Sequence, residues 1–495
     1  MAPLQKQHRT PFVGCFKVDN QSFIYDVNTN EIMEVCPETF SEIVHVLENP
    51  SIGIESLSAP AILALQEKGY LSSHRPNGVR AACDGCLSDG QQTGITQVVL
   101  ELTQSCNHRC LYCPYSAQDP GRRYHSVAAM DWDTAKAGID LLLDSSASVE
   151  MPVLGFYGGE PLLEWELMKS CMDYAIGKAG DKRLLFTLTT NATPVTGAIA
   201  KELAARGVSV LVSLDGPEEA HNSFRKLRES RIGGYSATMG GIRSLREAYG
   251  DTGVGKIRIN AVCGPWTDYL ALENFFCTNP PPEIAGLEYR LSEVSHSNVA
   301  SLLGEAGEVG QVGEIVSETK RDLFLRWTEK NATGKDGAGA EIFLDRLFEV
   351  PVANLHNRSK TLLGEHLGPM GMCLPGVRKS YIQVNGDILL CERVSERFVI
   401  GNVLGGGLDL SKCKSVLDEV VEHFQERCPE CIFCRVCAGC PAVYCAPDGM
   451  ISEEAVAQFC SRQIKNLGEQ LLWYVESLNR NANCFDFLEE TGVQQ

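Results

Sequence analysis

Between residues 95 and 292, short apolar, β-rich runs alternate with helical patterns, and that alternation leaves the chain few folds. The runs fall at 98–103, 153–157, 184–189, 208–214, 257–262 and 287–291. Helical periodicity occupies 134–143, 163–176, 198–206 and 239–249. Strands separated by helices imply right-handed crossovers and a parallel sheet. Six such units predict an α/β fold, a partial (β/α)6 barrel. Polar or glycine-rich residues stand just after the first four runs: a cysteine loop, Gly158-Gly159-Glu160-Pro161, Thr190-Asn191 and Asp215-Gly216-Pro217. Loops at the C-terminal ends of parallel strands build barrel active sites, so these signals converge on one face.

The cysteine loop reads Cys106-Asn-His-Arg-Cys110-Leu-Tyr-Cys113. Three thiolates this close can hold three corners of an iron–sulfur cube and leave its fourth iron open for chemistry; four cysteines would close the site. The competing reading is a zinc knuckle or unrelated thiols, although structural zinc usually takes four ligands in CxxC pairs.

The C-x3-C-x2-C spacing, with Tyr112 before the last cysteine, resembles the signature of the radical S-adenosylmethionine (SAM) enzymes. That resemblance implies SAM on the open iron of a 4Fe–4S cluster, cleaved by one electron to a 5′-deoxyadenosyl radical. Gly158-Gly159-Glu160-Pro161 resembles the family's GGEP motif, whose glycines would admit the methionine end of SAM while the carboxylate meets its ammonium. Ser213-Leu-Asp-Gly-Pro217 with His221 and Arg225 resembles another family pattern. It implies that Ser213 and Arg225 contact the SAM carboxylate and that Asn191 and Asp215 shape the pocket. The alternatives are structural: Asp215 as a helix cap, Asn191 as a turn residue, Arg225 as an ion pair. His221 reads as structural, and no residue is assigned as a catalytic acid or base.

Of 21 cysteines, 11 lie from Cys373 onward. Cys373, then Gly386-x4-Cys391, then Cys428, Cys431, Cys434, Cys437, Cys440, Cys445 and Cys460 resemble the SPASM domain of radical SAM peptide-modifying enzymes. The family's C-x2-C-x5-C-x3-C element is matched by Cys428, Cys431 and Cys437, but Cys440 comes one residue early. The family arrangement implies Cys373, Cys391 and Cys440 on one auxiliary 4Fe–4S cluster and Cys428, Cys431, Cys437 and Cys460 on a second. Cys434 and Cys445 are candidates for the missing ligand, and another alignment uses Cys431, Cys434, Cys440, Cys445 and Cys460. A zinc ribbon is the competing reading for such CxxC runs.

Residues 11–74 read as a hairpin around Asp19-Asn20, with helical patterns at 38–47 and 59–68. They resemble the PqqD-like, winged-helix recognition element fused to maturases of ribosomal peptides, which implies capture of a leader peptide as an added strand. The expected organisation is thus 11–74 recognition module, 75–94 linker, 95–292 barrel, 293–370 helical bridge, and 371–495 SPASM domain ending in a helix near 453–478.

A net charge of −19 argues against nucleic acid and anionic membranes as partners. No apolar run is long enough to span a bilayer, and the N-terminal residues lack a signal core. With CxxC runs, this points to a reducing cytoplasm. Cys391-Glu-Arg-Val and the N-terminal module look most like maturases that install thioether crosslinks in Cys-rich precursor peptides. That class implies a leader-bearing peptide and an external one-electron reductant of flavodoxin or ferredoxin type as partners. The alternatives are Ser/Cys-to-formylglycine conversion in a sulfatase, carbon–carbon crosslinking, epimerisation, and a zinc-rich peptide-binding scaffold.

Overall fold

The computed structural model describes residues 10–81, 94–113, 115, 123–229, 233–294, 307–333, 340–368, 371–446 and 449–488. Residues 82–93 of the expected linker lie outside them.

The first strands among the described residues are antiparallel, β1 (Val13–Val18), β2 (Gln21–Asp26) and β3 (Glu31–Val35). Side chains alternate between the two faces of a strand. Here one face carries Val13 and Ile24, which bury with Ile43, Val46, Leu57, Ile62 and Leu71 in a small core under the helices Pro37–Glu48 and Pro60–Glu67. The opposite face, with Phe23 and Tyr25, joins the main core of the molecule. The ring of Tyr25 stacks on Phe433 of the Cys-rich region at 6.5 Å. Arg435 donates to the carbonyls of Asn28 (3.1 Å), Thr361 (2.7 Å) and Ser359 (3.2 Å). This N-terminal module is therefore cemented to the C-terminal third of the chain.

The barrel strands are β4 (Gln97–Thr103), β6 (Val153–Gly158), β7 (Leu185–Thr190), β8 (Ser209–Ser213), β10 (Ile257–Cys263) and β11 (Glu288–Glu293), with β5 (His108–Cys110) and β9 (Arg225–Leu227) forming a separate short pair. The six pair in chain order and all in parallel, each strand end within two residues of the sequence expectation. Crossover helices Trp132–Ser145, Trp165–Ala179, Gly197–Ala205 and Tyr235–Tyr249 connect them. Covered on both faces, such strands read as continuous apolar runs rather than alternating ones.

The sheet does not end at β4. Strand β12 (Lys379–Ile382) pairs in parallel with β4, Tyr381 opposite Val99, and β13 (Asp387–Leu389), β14 (Val399–Asn402) and β15 (Gly407–Leu408) extend it antiparallel to ten strands. Gly138 makes room for this join, since a Cβ there would stand 2.6 Å from Ile382 Cδ1. No local pattern signals this extension, which fuses the Cys-rich region to the barrel.

Helices Gly307–Thr333 and Ala340–His356 bridge the two halves, meeting the long helix Glu453–Arg480 around Phe324, Trp327, Phe348 and Phe485. Ser452 caps that long helix by accepting from Ala455 N–H at 3.2 Å, a standard N-cap bond. Among the described residues no helix is long and apolar enough to cross a membrane.

Candidate active site at the barrel mouth

The loop after β4 carries Cys106, Cys110 and Cys113. It is stapled down by the β5–β9 pairing, in which Cys110 lies opposite Arg225. Cys106 Sγ accepts from the His108 N–H at 3.3 Å, and Cys110 Sγ accepts from Arg225 Nη1 at 3.8 Å. Burial pushes the Cys110 thiol up to about 12, with the Arg225 charge pulling the other way and Cys113 adding to the rise. Burial likewise raises Cys106, followed by the negative charges of Glu160, Cys110 and Cys113. A metal centre held here would have to displace these protons, because cysteine ligates as the thiolate. Soft donors on one loop, met by N–H groups aimed at sulfur, fit an iron–sulfur cluster.

Asp215 organises the floor. Its carboxylate takes both Arg225 Nε (2.9 Å) and Nη2 (3.2 Å), accepts from Val262 N–H (3.1 Å) and holds the Tyr112 hydroxyl. The Arg225 guanidinium lies over the Tyr112 ring at 5.4 Å. Its fork is thus already occupied by Asp215, while Ser213 stands half-buried at the end of β8. His221 is fully buried, and its Nδ1 accepts from Asp215 N–H at 3.4 Å. Burial, with Arg225 nearby, holds its imidazole down to about 3, so it is neutral.

Gly158 and Gly159 stand where two loops pass closely. A Cβ at Gly158 would run into the Thr103 carbonyl oxygen, and one at Gly159 into that of Ser105. The glycines therefore let the second loop lie against the cysteine loop, where Gly159 N–H donates to Thr103 O (2.7 Å) and Glu160 N–H to Ser105 O (2.9 Å). The Glu160 carboxylate faces inward, accepting from Leu162 N–H (3.1 Å), Thr190 Oγ1 (2.7 Å) and Asn191 N–H (2.8 Å). Burial raises its carboxyl to about 7 against those three donors. Asn191 continues the lock by donating to Asn107 Oδ1 at 2.8 Å, next to Cys106. Motif residues from three strand ends thus hold one loop.

A buried polar network beside the loop escaped the sequence reading. Glu101 on β4 accepts from Tyr115 (2.9 Å), Tyr381 (3.0 Å) and Val384 N–H (3.2 Å). Arg123 donates to Tyr115 Oη at 3.1 Å, covers the rings of Tyr115 (4.8 Å) and Tyr381 (4.7 Å), and reaches the Glu392 carbonyl. It therefore ties the segment after Cys113 to the turn holding Cys391. Tyr157 senses both sides: burial raises its phenol, then Glu392 and Cys113. Glu392 resists burial because Lys379 Nζ stands 2.6 Å away. The available signal was Glu101 itself, one carboxylate in an otherwise apolar run.

The C-terminal thiols fall into two neighbourhoods. Burial raises Cys391 to about 11, with Glu392 and Cys440 adding to it, and Cys440 in turn feels Cys373. Burial raises Cys428, then Cys431, Cys437, Cys460 and Cys434, while Cys437 rises to about 12 beside Cys431 and Cys460. Cys434 sits next to Phe433, against the N-terminal module, and Cys445 flanks Tyr444, whose phenol is raised by burial and then by Cys440 and Cys445. Among the described residues no three thiol, imidazole or carboxylate groups are drawn together closely enough for a single bare ion.

Residues 100–268 match the Radical SAM superfamily. The chain is 34% identical over 154 residues to an AdoMet-dependent heme synthase of Methanosarcina barkeri, covering 30% of this chain and 39% of that protein. It is 28% identical over 135 residues to a cysteine-type anaerobic sulfatase-maturating enzyme of Clostridium perfringens, covering 27% and 36%. The chain thus spans about two fifths of the length of the curated relatives it matches. Its fold is similar to that of native anSMEcpe with bound AdoMet and Cp18Cys peptide: TM-score 0.55, 16% identity, 81% of this chain and 100% of that one. Residues 100–268 accordingly match a superfamily of enzymes whose cofactors are SAM and a 4Fe–4S cluster.

Proposed function

We propose that this chain modifies a ribosomally made, Cys-rich precursor peptide, forming thioether bonds between a substrate cysteine sulfur and a carbon of an acceptor residue. The observation that carries this reading is the continuous sheet. β4, which leads into Cys106, is hydrogen-bonded to β12, and Arg123 ties the segment after Cys113 to the Cys391–Glu392 turn. The loop after β4 and the Cys391 turn are thereby joined through one sheet.

Bound there, the SAM cluster would supply a 5′-deoxyadenosyl radical that takes one hydrogen atom from the acceptor carbon; the substrate thiol loses its proton as the carbon–sulfur bond forms, and the surplus electron passes to an auxiliary cluster. Cys106, Cys110 and Cys113 would hold the SAM cluster. Cys373, Cys391 and Cys440, and Cys428, Cys431, Cys437 and Cys460, would hold two auxiliary clusters, with Cys434 and Cys445 available to complete them. Asn191, Ser213 and the backbone of Gly158–Gly159 would border SAM. Strand β3 pairs only with β2 among the described residues, so its other edge can take an extended leader as an added strand. An external one-electron reductant is required.

The test is co-expression with any short Cys-rich open reading frame found beside this gene, followed by mass spectrometry with and without thiol alkylation. Each linkage should remove two hydrogens and one alkylatable thiol. Crosslinks that leave every thiol alkylatable refute thioether formation. Modification that proceeds equally well on a peptide lacking its leader would favour the sulfatase-type reaction, which is the resemblance's second reading.

A further inference from the structure

We propose that Arg225 is a positioning residue whose guanidinium sets the reduction potential of the SAM cluster through Cys110. The proposal rests on the reading that Cys106, Cys110 and Cys113 hold that cluster.

Three features fix the guanidinium. Register in the β5–β9 ladder puts Arg225 directly opposite Cys110. Asp215 engages Nε and Nη2 at 2.9 and 3.2 Å, an arrangement that holds a planar fork rigidly. Tyr112 lies under its face at 5.4 Å and shares Asp215 through its hydroxyl. What remains is Nη1, 3.8 Å from Cys110 Sγ. Arg225 and Asp215 are 6% and 7% exposed, so little water screens them.

The pair as a whole is neutral, but it is a dipole with its positive end at the ligand sulfur. Net charge and hydrogen bonds to sulfur are the protein's levers on cluster potential. Reduction adds negative charge to the cluster, so a donor and a positive charge at Cys110 favour the reduced state. That is the state from which SAM is cleaved.

The two ends of the dipole should act with opposite sign. In full-length, anaerobically reconstituted protein without SAM, redox titration followed by EPR would monitor the signal that shifts when SAM is later added. Arg225→Gln should lower the equilibrium constant for reduction about tenfold, which is about 59 mV for a one-electron couple. Asp215→Asn leaves the guanidinium unopposed and should raise the potential. Should Arg225→Gln fail to load the cluster, Asp215→Asn decides alone, a rise supporting the proposal and no rise overturning it. Loaded variants that both titrate within a factor of two of the parent, or both shift downward, also overturn it. A parent protein with no SAM-responsive cluster would instead refute the underlying reading, a distinguishable result.

Discussion

Arg123→Met should loosen the join between barrel and Cys-rich region without unfolding the rest. Arg123 and Glu101 are 4% and 0% exposed and 3.9 Å apart, so the substitution strands a buried carboxylate. Removing one partner of a buried ion pair costs about 3–5 kcal/mol. The loss also removes the hydrogen bonds to Tyr115 and Glu392 and the cover over two tyrosine rings. Global unfolding of a multidomain metalloprotein is not two-state, so local opening is the right observable. In hydrogen exchange, amides of β12 and the Cys391 turn should exchange on the order of 10²- to 10³-fold faster, at about 1.4 kcal/mol per tenfold. Amides of β2 and β3 should not change. Adding Glu101→Gln should recover about 1–3 kcal/mol, because the stranded charge is gone. Acceleration under about threefold, or spread evenly over the chain, would refute the role given to this network.

Gly159→Ala should leave the fold intact but displace the cysteine loop, read as a loss of about four irons per chain with little change in circular dichroism. Glu160 has its carboxyl raised by burial to about 7 from an ordinary value near 4.5. A carboxyl raised in the folded state adds stability that is fully present below about 4.5 and lost as pH rises through about 7. Thermal melts of Glu160→Gln should therefore lack a fall between those pH values that the parent shows; parallel curves would contradict it. Arg435→Ala removes charge-assisted bonds to several carbonyls of the N-terminal junction, each worth about 1.5–3 kcal/mol. Limited proteolysis should then release the first 80 residues several-fold faster, and an unchanged rate would argue against the junction.

The barrel was legible because each of its strands is an apolar run between helices, and because four strand ends carry polar or glycine motifs. The extension through β12 was not. Lys379–Ile382 is four residues long and its partner β4 lies some 280 residues earlier, so no local pattern tells which edge it joins. Cys106, Cys110 and Cys113 could be picked out by spacing, but the reason for Gly158 and Gly159, the close pass of two loops, needed the fold. Glu160 and Arg225 were legible as motif members, yet their partners come from other strands. The N-terminal hairpin could be read from its alternation, while its burial against Phe433 and Arg435 depends on a surface about 400 residues away.

The central claim is that the loop after β4 cleaves SAM. Anaerobically reconstituted protein should be brown and hold about twelve irons per chain, four in each of three cubes. On reduction with SAM it should release 5′-deoxyadenosine. The triple variant Cys106→Ala, Cys110→Ala and Cys113→Ala should keep about eight irons and release none. A triple variant that still forms 5′-deoxyadenosine, or a parent protein that is colourless and zinc-replete, would contradict the account.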